Sequence, residues 1–113
     1  MLEVLYYPEG NRGPVGDYLA FLARERPKTF ARLAIDLEVL GAEGLRSQKI
    51  IVRPMGSGLW ELKRLHEGVQ YRMFFGVWKG AVWLLHSFEK KSAKTPKSDL
   101  DLARRRLKEV MGR

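Results

Sequence analysis

Hydrophobic and polar positions change period several times along the chain. Residues 2–7 are an apolar, aromatic-rich run closed by Pro8 and Gly10, which predicts a first strand. From about residue 14 to 24, Tyr18, Phe21 and Leu22 recur at helical spacing. Pro27 ends that segment and opens a second, because proline fits the first turn of a helix. In the second helix Phe30, Leu33, Leu37 and Leu40 make one apolar stripe, with Arg32, Asp36 and Glu43 away from it, and Gly41 and Gly44 stop it. Residues 49–53 predict a short strand halted by Pro54, Gly56 and Gly58. Residues 59–89 then read as a three-stranded meander of LWELKRL, VQYRMFFGVW and AVWLLHSFE. Its turns are Glu67-Gly68 and Lys79-Gly80, each with glycine where a tight hairpin needs positive φ. A last helix opens at Thr95-Pro96, with threonine placed to cap and proline to take the first helical position. Leu100, Ala103, Leu107 and Val110 form its apolar stripe. The order β-α-α-β-β-β-β-α predicts an α+β fold, with an antiparallel sheet covered on one face by the two N-terminal helices, and a C-terminal helix.

If both turns hold two residues, register follows. Lys63 falls opposite Arg72, and Glu61 opposite Phe74. On the next hairpin Arg72 faces Ser87, Phe74 faces Leu85, and Phe75 faces Leu84. Side chains alternate across a sheet, so the strands divide into two faces. One collects Trp60, Leu62, Tyr71, Met73, Phe75, Val77, Val82, Leu84 and Phe88, a core for the helices. The other collects Glu61, Lys63, Arg72, Phe74, Trp83, Leu85 and Ser87. A one-residue bulge in either hairpin would move residues between faces.

Composition narrows the class. A chain of 113 residues, 45% apolar and 30% charged, has the balance of one globular domain, spanning residues 1–113. Its longest apolar run, residues 18–23, is far short of the roughly 20 residues needed to cross a bilayer. The N-terminus has no basic flank before a long apolar stretch, so no secretory signal is expected. With no cysteine, disulfides, thiolate catalysis and cysteine zinc sites are excluded, and a reducing, cytoplasmic setting is expected. The net charge is +8. Residues 1–45 hold five basic and seven acidic side chains, whereas residues 46–85 hold seven and two, and residues 86–113 nine and four. The whole positive excess lies in the last 68 residues, which points to a polyanion or to a solubilising surface.

Two opposed cations, Lys63 and Arg72, repel unless an anion stands between them. A phosphate fits, since arginine holds it through two parallel bonds and lysine as a point charge. Glu61, diagonally adjacent, offers the other solution, a surface ion network. Lys90, Lys91 and Lys94 follow the last strand, beside Phe74 and Trp83. Charge for a backbone and rings for bases make a nucleic-acid groove. The alternative is a solvated lysine loop, with both rings buried under it or under the C-terminal helix. His86 is expected on the core face in a structural role. His66 is expected exposed at a turn near Lys63 and Arg72, where it has some scope as a proton donor. Two histidines far from carboxylates make no metal site, and no phosphate-binding glycine loop occurs.

Residues 58–96, GLWELKRLHEGVQYRMFFGVWKGAVWLLHSFEKKSAKTP, resemble the phage-derived HigB-like branch of the RelE/ParE toxin superfamily. That branch carries LWELR, then YR on the next strand, then LLH-x-F-x-KK before a TP helix start. The resemblance implies a RelE-like fold and a toxin of a type II toxin–antitoxin system. It implies ribosome-dependent cleavage of messenger RNA through the 2′-hydroxyl, without metal or other cofactor. The alternatives are a ParE-like gyrase inhibitor and a non-catalytic RNA- or ribosome-binding module. The strand lysine of the family matches Lys63, its phosphate-holding arginine matches Arg72, and a basic residue after the last strand matches Lys91, with Lys90 beside it. Lys63 or Glu61 would accept the proton, and Arg72 and Arg64 would lower the lysine's pKa. The expected catalytic set is therefore Lys63, Arg72, Lys91 and Glu61. The expected RNA contacts are Lys90, Lys94, Arg64, Trp83 and Phe74. Expected partners are messenger RNA, the ribosome and an acidic or helix-turn-helix antitoxin encoded next door, with no membrane. One departure stands out: the chain ends KEVMGR, without the C-terminal tyrosine or histidine of RelE-type enzymes.

Overall fold

Both hairpin turns hold two residues, and this sets the centre of the sheet. In the computed structural model, which describes residues 1–91, 94 and 96–113, Glu67 and Lys79 take φ of 48° and 51°, and Gly68 and Gly80 take 82° and 77°. Positive φ at both central positions matches the right-handed twist of the strands they join. The joined strands are β3 (Leu59–His66), β4 (Val69–Trp78) and β5 (Ala81–Lys90). A further strand, β2 (Ile51–Gly56), pairs antiparallel with β3, and β1 (Glu3–Tyr6) pairs parallel with β5, giving the order β1-β5-β4-β3-β2. The sheet is thus mostly antiparallel, with one parallel edge. β2 runs through Pro54 instead of stopping before it. Proline is tolerated there because β2 is an edge strand and its register breaks between Pro54 and Gly56.

Helices α1 (Pro14–Glu25) and α2 (Pro27–Glu43) both begin on proline and share Arg26 as the hinge between them. Val15, Leu19 and Leu22 of α1 and Leu33, Leu37 and Leu40 of α2 pack on Leu62, Tyr71, Met73, Phe75, Val82 and Leu84. Phe21, expected in the α1 stripe, points outward at 39% exposure, because the buried face is centred on Leu19. Helix α3 (Lys97–Met111) covers the opposite face, where Ala103, Leu107 and Val110 pack on Leu59, Phe74 and Leu85. Pro96 is its cap residue, one position before the helix begins, not its first helical residue; Thr95 lies outside the described residues. No helix among the described residues is long and apolar enough to cross a membrane.

The register of the first hairpin is as expected, with Lys63 opposite Arg72 and Glu61 opposite Phe74. The second departs halfway. Phe75 faces Leu84, but Phe74 faces His86, Met73 faces Ser87 and Arg72 faces Phe88. Leu85 is the extra residue of a bulge, and every β5 side chain beyond it changes face. Phe88 and His86, expected on the α1–α2 side, therefore lie on the α3 side. Ser87 makes the opposite move.

Candidate nucleic-acid interface

The α3 side of the sheet carries three cross-strand rows beyond the end of its apolar core. Arg53, Glu61, Phe74 and His86 form one row; Ile51, Lys63, Arg72 and Phe88 the next; Leu65, Gln70 and Lys90 the last. Four cations thus stand around a single carboxylate. Glu61 is fully buried, and its Oε1 accepts from Arg72 Nη1 at 2.9 Å and from Arg53 Nε at 2.8 Å. Arg72 is itself buried at 5% exposure and donates from Nη2 to Gln70 Oε1 at 3.0 Å. The repulsion between Lys63 and Arg72 is therefore relieved from inside the protein, by Glu61. Arg53 and Lys63 remain open to solvent on the outer side, and Lys90 is half-buried.

Neutralisation is incomplete. Glu61 Oε2 and Arg72 Nε are buried without a hydrogen-bond partner among the described residues. Each such atom forfeits about 1–3 kcal/mol of hydration. Lys90's ammonium is held below the ordinary lysine value, first by desolvation and then by the positive charge of Arg72, with Arg53 and Lys63 adding to it and Glu61 opposing. The lysine with the lowered pKa in this cluster is thus the one that β5 contributes. It reaches the cluster because the Leu85 bulge sets Lys90 in register with Gln70.

The remaining expected residues are dispersed. Arg64 lies on the opposite face, where Nε and Nη2 each bond Asp36 at 2.7 Å. It alternates with Lys63, so it cannot share Lys63's side of the sheet. Asp36, expected away from the apolar stripe of α2, is only 1% exposed, drawn in by this pair. His66 is also on the far face, with Nδ1 2.9 Å from Thr29 Oγ1. Phe74 is fully buried beneath α3, which leaves no ring face for a base. Trp83 sits at the other end of the sheet, opposite Gly76, with the Arg113 guanidinium 5.6 Å from its ring. Lys91 and Lys94 are exposed beyond β5.

Three members were not foreseen. Arg53 is legible in hindsight, because extending the pairing to β2 puts it opposite Glu61. Gln70 shares Arg72's face by simple alternation. His86 was hidden by the bulge; its Nε2 lies 2.5 Å from Asp99 Oδ1 in the first turn of α3, and its ring stacks on Phe88 at 5.8 Å. This bond ties the start of α3 to the sheet beside the cation rows.

These rows fall inside a recognisable span. The family model described as Phage derived protein Gp49-like (DUF891) matches residues 17–108. The chain belongs to the Gp49-like family. No curated protein and no solved structure matches it. The Gp49-like span runs from the first turn of α1 into the last turns of α3, so both hairpins, the bulge and all four clustered cations lie within it. Gp49-like proteins are phage-derived and associated with toxin-like proteins of toxin–antitoxin pairs, which supports an antitoxin as partner.

Proposed function

We propose that this Gp49-like protein is the toxin of a type II toxin–antitoxin pair and cleaves messenger RNA on the ribosome, in the cytoplasm. The observation that carries the reading is the convergence of Arg53, Lys63, Arg72 and Lys90 on one sheet face around buried Glu61. A single strand of RNA laid over Lys63 and Lys90 sets a phosphate against two solvent-reachable ammonium groups, with the Arg53 and Arg72 guanidiniums behind them. In the reaction the ribose 2′-oxygen attacks the adjacent phosphorus and loses its proton, and the bond to the 5′-oxygen breaks as that oxygen gains one. The products are a 2′,3′-cyclic phosphate and a 5′-hydroxyl. Fixed positive charge on the phosphoryl oxygens supplies the main stabilisation of the transition state.

The roles differ from those read in the sequence. Glu61 is a positioning residue, since its Oε1 is committed to two guanidiniums and the side chain is sealed from solvent. Lys90, with its lowered pKa, is the proton carrier in this reading, because a base is effective when its pKa approaches the working pH. Lys63 holds the phosphate, and Lys91 and Lys94 extend the track for the backbone. The non-catalytic RNA-binding reading has one observation on its side: Arg72 is nearly closed off by Glu61 and Gln70. End-group analysis separates the two. Purified protein added to ribosomes programmed with a defined message is expected to release fragments bearing 2′,3′-cyclic phosphate, identified by mass. Intact message with the protein bound contradicts cleavage, and stalled supercoiling in a parallel gyrase assay points to the ParE-like alternative.

A further inference from the structure

The cation rows are bordered by bare aliphatic surface. Ile51 is 60% exposed and Leu65 61%, the most exposed large apolar side chains among the described residues after Met1. Both flank Lys63 on the α3 side, Ile51 directly across the strand pair and Leu65 two residues along. Helix α3 does not reach them. It packs on β3, β4 and β5, and its contact with β2 is at the far end, where Arg104 donates to the Met55 and Gly56 carbonyls. The uncovered quarter of the sheet thus presents Ile51, Arg53, Lys63, Leu65 and Lys90 together.

We infer that this patch docks an acidic polypeptide segment whose carboxylates alternate with aliphatic side chains, and that the segment covers Lys63 and Lys90 when bound. The charge on the patch selects an acidic occupant. The aliphatic pair selects a polypeptide over a nucleic acid, since bases are held by stacking on rings and the aromatic rings on this face, Phe74 and Phe88, belong to the α3 core. A second copy of the chain is disfavoured, because it would set Arg53, Lys63 and Lys90 against their own equivalents. Exposed apolar side chains rimmed by charge are the usual mark of such a surface. The inference rests on the reading of the cation rows as the working site, to the extent that the docked segment and RNA exclude one another; the docking itself is measured without cleavage.

The test uses the full chain labelled for NMR and three synthetic twelve-residue peptides: alternating Glu and Leu, Glu and Ser of equal charge, and Lys and Leu. The Glu–Leu peptide is expected to shift the signals of Ile51, Lys63, Leu65 and Lys90 and to bind at least tenfold tighter than the Glu–Ser peptide. The Lys–Leu peptide is expected not to bind. Ile51→Ser with Leu65→Ser should abolish the difference between the two acidic peptides while leaving affinity for a short single-stranded RNA unchanged. Equal binding of the two acidic peptides, shifts confined to another face, or concentration-dependent self-association through Ile51 and Leu65 each overturns the inference. Loss of RNA affinity in the serine variant does so too, since it assigns the aliphatic pair to RNA. If the peptides behave as expected but no message is cleaved, the nuclease reading fails and the docking surface stands.

Discussion

Glu61 decides how the cluster must be probed. Removing Arg72 leaves a sealed carboxylate held by Arg53 alone, and breaking a buried pair in this way costs about 3–5 kcal/mol. Arg72→Ala is therefore expected to unfold at markedly lower denaturant, and its loss of toxicity would report on folding as much as on function. Lys63→Ala and Lys90→Ala remove groups without a buried partner, so each should stay within about 0.5 kcal/mol of the parent in the same melt. Lys90 also has a signed pH dependence. Its lowered pKa means the folded chain releases this proton before the unfolded chain does, so its contribution to stability rises with pH between the lowered and ordinary lysine values. Lys90→Met should flatten that rise in pH-dependent melts. Over the same window RNA affinity should fall at a lower pH in the parent than in Lys90→Arg, whose guanidinium stays charged; coincident profiles would contradict Lys90's place in the site.

The strands and helices were legible wherever a local signal governed them. Glycine turns set both hairpins, Pro14 and Pro27 set two helix starts, and the Leu100–Ala103–Leu107–Val110 stripe found its sheet face. What escaped was tertiary. Nothing in AVWLLHSFE marks Leu85 as a bulge, because a run apolar on both sides of that position fits either register. The sheet face of His86, Ser87 and Phe88 was lost with it. The burial of Asp36 and the far-side place of Arg64 explain one another: each is a charge that looks solvated until its partner is known. Helix α3 fits its face through a close approach at Gly76, where a Cβ would come within 2.5 Å of Leu107. Gly76→Ala should therefore overpack the α3 side and cost about 1–3 kcal/mol, read as a lower thermal midpoint. An unchanged midpoint would show that Leu107 can step aside.

Across the molecule, charge is segregated by chain position and then gathered by folding. The first 45 residues, net negative, build the two helices that cover one face, while the basic remainder builds the central strands and α3. An RNA strand held on the α3 side should bind with a steep salt dependence. Losing two phosphate contacts in the Lys63→Ala, Lys90→Ala double variant should reduce the log–log slope by about 1.4. The same double variant tests the central claim most directly, by primer extension on messages from cells expressing it or the parent chain. The account predicts discrete cleavage stops inside translated messages with the parent and none with the double variant, at matched protein level and matched thermal stability. The same stops from both chains would contradict it.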